Sequence, residues 1–305
     1  MSPEITPQIE PVPIGEFAEP DFVRLPEPVA LFRARADRLR ALSATHTLAP
    51  YLVFLAELAA IQERIAASLP SPKPLSPEEL EAAVADTRAP LDRLLFVPDE
   101  FALAVSDKLL AALADVAIPE AAVQAVGRLK AADAATRQAA LQHTLRTLPV
   151  AEVLAEHALL SAALQVVFAA AAATLPPQRL QPVADGVCPV CGSPPLASLL
   201  AGWQGARGTR YCACGLCGTF WNYVRIKCTL CGSTKGIAYH GIEGDAGTIK
   251  AESCESCRRY VKILYQQKDP ALEPMADDIG SLGLDLLMRE AGFARGAVNP
   301  FLLGY

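Results

Sequence analysis

Eight of the nine cysteines in this 305-residue chain fall into four Cys-x-x-Cys pairs: Cys188 and Cys191, Cys214 and Cys217, Cys228 and Cys231, Cys254 and Cys257. Two sulfurs three positions apart on a tight knuckle can chelate one soft cation, and two knuckles complete a tetrahedral thiolate site. Glycine directly follows three of the pairs, at Gly192, Gly218 and Gly232, where it suits a tight turn whose backbone amides approach the sulfurs. A four-thiolate site accepts both zinc and iron. Disulfides are the less favoured reading, because no export signal accompanies the cysteines and a reducing compartment keeps thiols free.

The spacing also argues the pairing. Cys191 to Cys214 and Cys231 to Cys254 enclose equal numbers of residues, so each half reads as knuckle, hairpin-length insert and knuckle, two ribbons in tandem. Between Cys217 and Cys228 runs Gly-Thr-Phe-Trp-Asn-Tyr-Val-Arg-Ile-Lys, whose aromatic and β-branched residues predict a strand. Such a strand spans about 33 Å, whereas the ligands of one metal lie within about 4 Å of one another. The second and third knuckles are therefore assigned to different sites: Cys188, Cys191, Cys214 and Cys217 to the first, Cys228, Cys231, Cys254 and Cys257 to the second. The interleaved alternative joins the first knuckle with the third. Cys212 is left over as a free structural thiol. His240 finds no vacancy and is expected at the surface.

No other chemistry-bearing set emerges. The histidines (His46, His143, His157, His240) are scattered, no glycine loop cradles phosphate, and Asp277-Asp278 reads as a solvated helix turn. A closed tetrathiolate site lacks the open position that metal hydrolysis needs, so the chain is not expected to be an enzyme. The net charge of −6 divides into +5 over residues 181–268 and −11 elsewhere. Two divalent metals in four-thiolate sites bring about −2 each and offset most of that +5, so nucleic acid is not needed to explain the basic part. Tyr211, Phe220, Trp221 and Tyr223 are expected to cover a ribbon's apolar face rather than stack bases.

These sites need elements to carry them. Residues 1–27 are proline-rich, without a basic or apolar leader pattern, and are expected to form an extended or mobile arm. Residues 28–180 read as a helical domain: Val29, Phe32, Ala36 and Leu39 share a face, with Arg33, Arg35, Asp37 and Arg38 largely opposite. Leu58, Ile61 and Ile65 repeat the pattern. Ser76-Pro77-Glu78-Glu79 carries a capping box, and further helices are predicted at Leu109–Val116, Ala121–Thr144 and Ala151–Leu175, ended by Pro176-Pro177. The apolar run Leu159–Leu175 is short and interrupted for a bilayer and reads as a buried central helix. Residues 181–268 form the ribbons (181–222 and 223–268), and 269–305 a helix over Leu272–Arg289 with a tail packing back on the body. The fold class is α+β.

The residues resemble one known family, the formate dehydrogenase accessory proteins called FdhE. The resemblance runs from about Leu25: Leu-Pro-x-Pro before Leu31-Phe32, Arg33 to Leu42, Tyr51-Leu52, Phe54-Leu55-Ala56 and all four knuckles. It continues through Trp221, Arg225, Tyr239, Glu252-Ser253-Cys254, Asp269-Pro270, Ala276-Asp277-Asp278, Asp285-Leu286-Leu287-Met288 and Asn299-Pro300-Phe301-Leu302-Leu303. It implies a cytoplasmic assembly factor that binds the catalytic subunit of respiratory, molybdenum-containing formate dehydrogenases, with rubredoxin-type iron held by the cysteine pairs. The alternatives are a rubredoxin-like electron carrier and, last, a nucleic-acid-binding zinc ribbon.

Overall fold

The computed structural model describes residues 20–303. Its first half is a helical body of α1 (Pro28–Ser43), α2 (Ala49–Ser68), α3 (Pro77–Ala85), α4 (Glu100–Ala112), α5 (Glu120–Ala131), α6 (Ala134–Arg146) and α7 (Leu154–Ala172). Local chemistry sets the starts. Pro28 opens α1, Ser76 and Glu79 form a reciprocal capping box on α3, and Asp99 caps α4. The single helix predicted over Ala121–Thr144 is two, because the Asp133 carboxylate accepts from the Thr136 amide and starts α6 afresh.

Fourteen of the nineteen residues of α7 are buried, and α1, α2, α4, α5 and α6 pack around it. The stretch Ala151–Ala172 is long and apolar enough to cross a membrane by length and composition, yet two-thirds of it is buried within the protein.

Strands β1 (Val23–Arg24), β2 (Pro195–Leu200), β3 (Arg210–Cys214), β4 (Phe220–Asn222), β5 (Ile237–His240), β6 (Ile249–Cys254) and β7 (Arg259–Tyr265) form one sheet in the order β1-β4-β3-β2-β7-β6-β5. Neighbours are antiparallel except β2 and β7, which run parallel with Ala197–Leu200 against Lys262–Tyr265. The two ribbons thus share a continuous sheet. A short β8 (Ala294–Arg295) lies parallel to the start of β7.

Several expectations need correction. The arm was placed over residues 1–27; residues 1–19 lie outside the described residues, but Val23–Arg24 is a sheet edge strand, anchored as the Tyr211 hydroxyl donates to the Asp21 carbonyl at 2.9 Å. The strand predicted between Cys217 and Cys228 stops at Asn222. Beyond it the chain curls, because the buried Arg210 guanidinium donates to the carbonyls of Val224, Arg225 and Lys227. The C-terminal helix predicted over Leu272–Arg289 is α8 (Pro274–Gly280) followed by α9 (Leu282–Glu290). At the break, the Lys262 ammonium takes the Asp278 and Ser281 carbonyls at 2.7 and 3.1 Å.

Asp277 and Asp278 are not a solvated turn: both are fully buried. Asp277 accepts a forked pair from Arg38, and Asp278 receives Lys262, Arg295 and Asn299. Arg35 and Arg38 accordingly turn inward, Arg35 to Glu273 and Gln165, rather than lying on an outer face. The tail does fold back, with Phe301 and Leu302 buried and the Tyr51 hydroxyl donating to the Phe301 carbonyl at 2.7 Å.

Candidate metal centres

Each knuckle is a tight turn: the second and fourth follow directly on β3 and β6, and the first and third lie in the turns that lead toward β2 and β5. In the first, the Cys188 amide donates to the Ser193 carbonyl at 2.8 Å and the Gly192 amide to the Cys188 carbonyl at 2.9 Å. The second and third repeat this through Thr219 and Gly218, and through Ser233 and Gly232. All three glycines sit at φ between +71° and +76°, where a Cβ is unfavourable. The fourth knuckle has no glycine. Arg258 takes that position at φ +54°, its amide donating to the Cys254 carbonyl. The Arg258 guanidinium also reaches the Gly292 carbonyl and lies 4.2 Å from the Phe293 ring centroid, which offsets the strained backbone with contacts to the chain after α9.

The structure brings the sulfurs of Cys188, Cys191, Cys214 and Cys217 into one cluster and those of Cys228, Cys231, Cys254 and Cys257 into another, each set within 4.8 Å of one another. Knuckle one faces knuckle two, with Cys188 3.6 Å from Cys217 and Cys191 3.4 Å from Cys214. Knuckle three faces knuckle four, at 3.9 Å for Cys228 and Cys257 and 3.7 Å for Cys231 and Cys254. The interleaved grouping does not occur. A tetrahedron of metal-to-sulfur bonds near ~2.3 Å has its sulfurs about 3.8 Å apart, whereas a disulfide needs about 2.05 Å. The spacing and the all-sulfur donor set therefore fit a soft cation in each cluster.

Electrostatics agree for the buried set. Burial drives the Cys188 thiol well above its usual range. It opposes charge on Cys214 too, but hydrogen bonds from Cys188, Cys191 and Cys217 hold that thiol well below its usual range. A single cation among the sulfurs would neutralise the thiolate charge that burial opposes.

The clusters differ in shelter. The first is fully buried: the Arg93 amide donates to the Cys191 carbonyl, Gln165 on α7 donates to the Gly215 carbonyl, and Leu31 of α1 lies on Gly218. In the second, Cys231 is exposed and Cys257 half-buried. Between them, Gly186 packs directly on the Thr229 carbonyl of the third knuckle, Lys227 pairs with Asp185 at 2.6 Å, and the Tyr223 hydroxyl donates to the Cys228 carbonyl.

Cys212 joins neither cluster. It is wholly buried in β3, and that burial pushes its thiol up to about 12. His240 is partly buried, with Nε2 2.8 Å from the Ser253 hydroxyl, and belongs to neither set of sulfurs. Tyr211 and Trp221 are buried, and Trp203 packs against Tyr211 and Phe220 at 5.0 and 5.4 Å between centroids.

Family models for FdhE match almost the whole described chain: the N-terminal part over residues 20–185, the central domain over 187–225 and the C-terminal domain over 226–302. The chain belongs to the FdhE family. It is 41% identical to the protein FdhE homolog of Rhizobium meliloti (strain 1021), over 98% of each chain, and 38% identical to that of Edwardsiella ictaluri (strain 93-146), over 91% of this chain and 90% of the relative. The crystal structure of the FdhE protein from Pseudomonas aeruginosa superposes with a TM-score of 0.82 at 32% identity, covering 93% of this chain and 99% of that one.

What sequence reasoning missed are the charged residues that hold the site together. Arg210 and Glu252 form a 2.7 Å buried ion pair between β3 of one ribbon and β6 of the other, with Ser198 of β2 beside them. Lys262, Asp278, Asp285 and Arg295 tie β7 to α8 and α9. The available signal was a lone lysine in the otherwise apolar run Tyr260-Val261-Lys262-Ile263-Leu264, since a charge buried in a strand needs a partner.

Proposed function

We propose that this protein is a cytoplasmic maturation factor for a respiratory, molybdenum-containing formate dehydrogenase, and that it binds that enzyme's catalytic subunit. Cys188, Cys191, Cys214 and Cys217 would hold one metal ion, iron or zinc, and Cys228, Cys231, Cys254 and Cys257 a second. The observation that carries this reading is the pair of four-sulfur clusters carried by one sheet beside the helical body of an FdhE-family chain. Four protein sulfurs complete a tetrahedron and leave no coordination position for a substrate, which supports a docking scaffold rather than an enzyme. The residues' own work is to clamp knuckle to knuckle, and each knuckle pair to the shared sheet. The test is co-purification: tagged protein from formate dehydrogenase-producing cells should retain the catalytic subunit, and a Cys228→Ser, Cys231→Ser variant should retain less. Recovery without the subunit under conditions that preserve metal would refute the reading.

A second reading is favoured by the exposure of Cys231. A tetrathiolate iron is a one-electron carrier, and an exposed sulfur offers a short path to a redox partner. Reversible bleaching of visible absorption on reduction would support electron transfer, and colourless zinc protein from native cells would remove it.

A further inference from the structure

Where the helical body, the first metal cage and the tail meet, the surface opens into a cleft of about 280 Å³. Its floor is α7, which presents His157 and Ser161 one turn apart. Its walls are the end of α6, the knuckle residues around Ser193 and Gly215, and the tail from Ala297 to Pro300. Most of each floor residue is buried, and neither side chain has a hydrogen-bond partner among the described residues. Burial also lowers His157 to about 4, so its ring is neutral and offers one donor and one acceptor. Their polar tips open into the cleft, where both are free to pair with whatever occupies it.

The charge around the cleft is one-sided. Arg93 spends one guanidinium nitrogen on the Leu145 carbonyl and has its Nε unpaired; Arg146 is exposed and has no partner among the described residues. None of the described residues lining the cleft is acidic. The rim is apolar and open to solvent, with Leu148 66% and Val298 46% exposed, and the chain leaving it carries Val150 at 65%. Apolar walls with a few convergent polar groups are the general form of a binding site. The apolar surface continuing past the opening suits an extended chain.

We propose that this cleft binds an extended acidic segment of a partner protein carrying a bulky apolar residue. The apolar side chain packs between Leu148 and Val298, carboxylates of the segment pair with Arg93 and Arg146, and its backbone hydrogen-bonds with His157 and Ser161. The inference goes beyond the proposed client, since it concerns the chemistry of the bound segment and stands apart from which protein supplies it.

The test uses the full metal-loaded chain, immobilised and incubated with a synthetic library of acetylated, fully randomised octapeptides, with bound peptides sequenced by mass spectrometry. Enrichment of Asp and Glu beside Leu, Met, Phe or Ile is expected. The best peptide, labelled with fluorescein, should lose about tenfold or more in affinity on Arg146→Glu or Leu148→Glu, substitutions at exposed positions that leave the melting temperature unchanged. No enrichment, enrichment of basic residues, or affinity unchanged in both variants would overturn the proposal. Failure of co-purification with formate dehydrogenase would leave these readouts untouched.

Discussion

Replacing Gly186 with alanine should empty the second metal site while sparing the first, although Gly186 precedes the first knuckle. Gly186 has φ +69°, and a Cβ built on it would lie 1.6 Å from the Thr229 carbonyl oxygen, where real contacts stay beyond 3.0 Å. The backbone conformation alone costs a residue with a Cβ about 1–2 kcal/mol. The overlap must then be relieved by moving one backbone segment by more than an ångström. Thr229 lies between Cys228 and Leu230, whose amide is 3.4 Å from the Cys228 sulfur, and metal-to-sulfur distances tolerate only about 0.2 Å. The first site is held instead by α1, α7 and the Leu91–Arg93 backbone. Gly205→Ala is the control, because Gly205 has φ +79° but nothing within 4 Å of its Cβ position. The assay is metal content per chain by mass spectrometry, with alkylation mapping of free thiols. Gly186→Ala should bind about one metal, with Cys228, Cys231, Cys254 and Cys257 alkylated, while Gly205→Ala binds two. Two metals in Gly186→Ala, or equal losses in both variants, would refute the coupling of Gly186 to the third knuckle.

In loaded wild-type protein, a chelator with iodoacetamide should expose Cys231 and Cys257 to alkylation before any cysteine of the buried cluster, and Cys212 should react only on unfolding; labelling in the reverse order would contradict the burial difference. Asp278→Ala leaves the buried Lys262 and the partly buried Arg295 with one fewer counter-charge, so urea unfolding should show a loss of about 3–5 kcal/mol; a loss below about 1 kcal/mol would show that the network relaxes into solvent. His157 is held neutral when folded, at about 4, but takes up a proton in the unfolded chain near 6.5. Protonation therefore favours unfolding, and stability falls as pH drops through that window. The His157→Leu variant should show a shallower fall than wild type between pH 6.5 and 4, and parallel curves would place the histidine in solvent.

The eight cysteines and their grouping were legible because chelation is a local matter: two sulfurs three residues apart, a glycine to turn the chain, and equal inserts between knuckles. The sulfurs cluster in that grouping although the strand expected to separate the second and third knuckles is only partly formed. The segment between Cys217 and Cys228 is a strand only over Phe220–Asn222, and its curl depends on Arg210, whose reach to the carbonyls of Val224, Arg225 and Lys227 no local propensity encodes. Helix starts at Pro28, Ser76 and Asp99 were likewise written in side chains next to the backbone they cap. The break at Asp133 carried the same signal, masked by the alanine-rich run around it.

Composition, periodicity and cysteine spacing alone thus determined an α+β chain with a helical body and four metal-type knuckles. Tertiary structure decided what those parts do to one another. It joined the ribbons into one sheet through the parallel pairing of β2 with β7, turned Arg35 and Arg38 inward and buried Asp277 and Asp278. It also sheltered one cluster while leaving Cys231 of the other exposed. The reason is physical. Chelation and capping act over a few residues, whereas a buried charge is tolerated only when a partner from far along the chain meets it, as Arg38 meets Asp277 from 239 residues away.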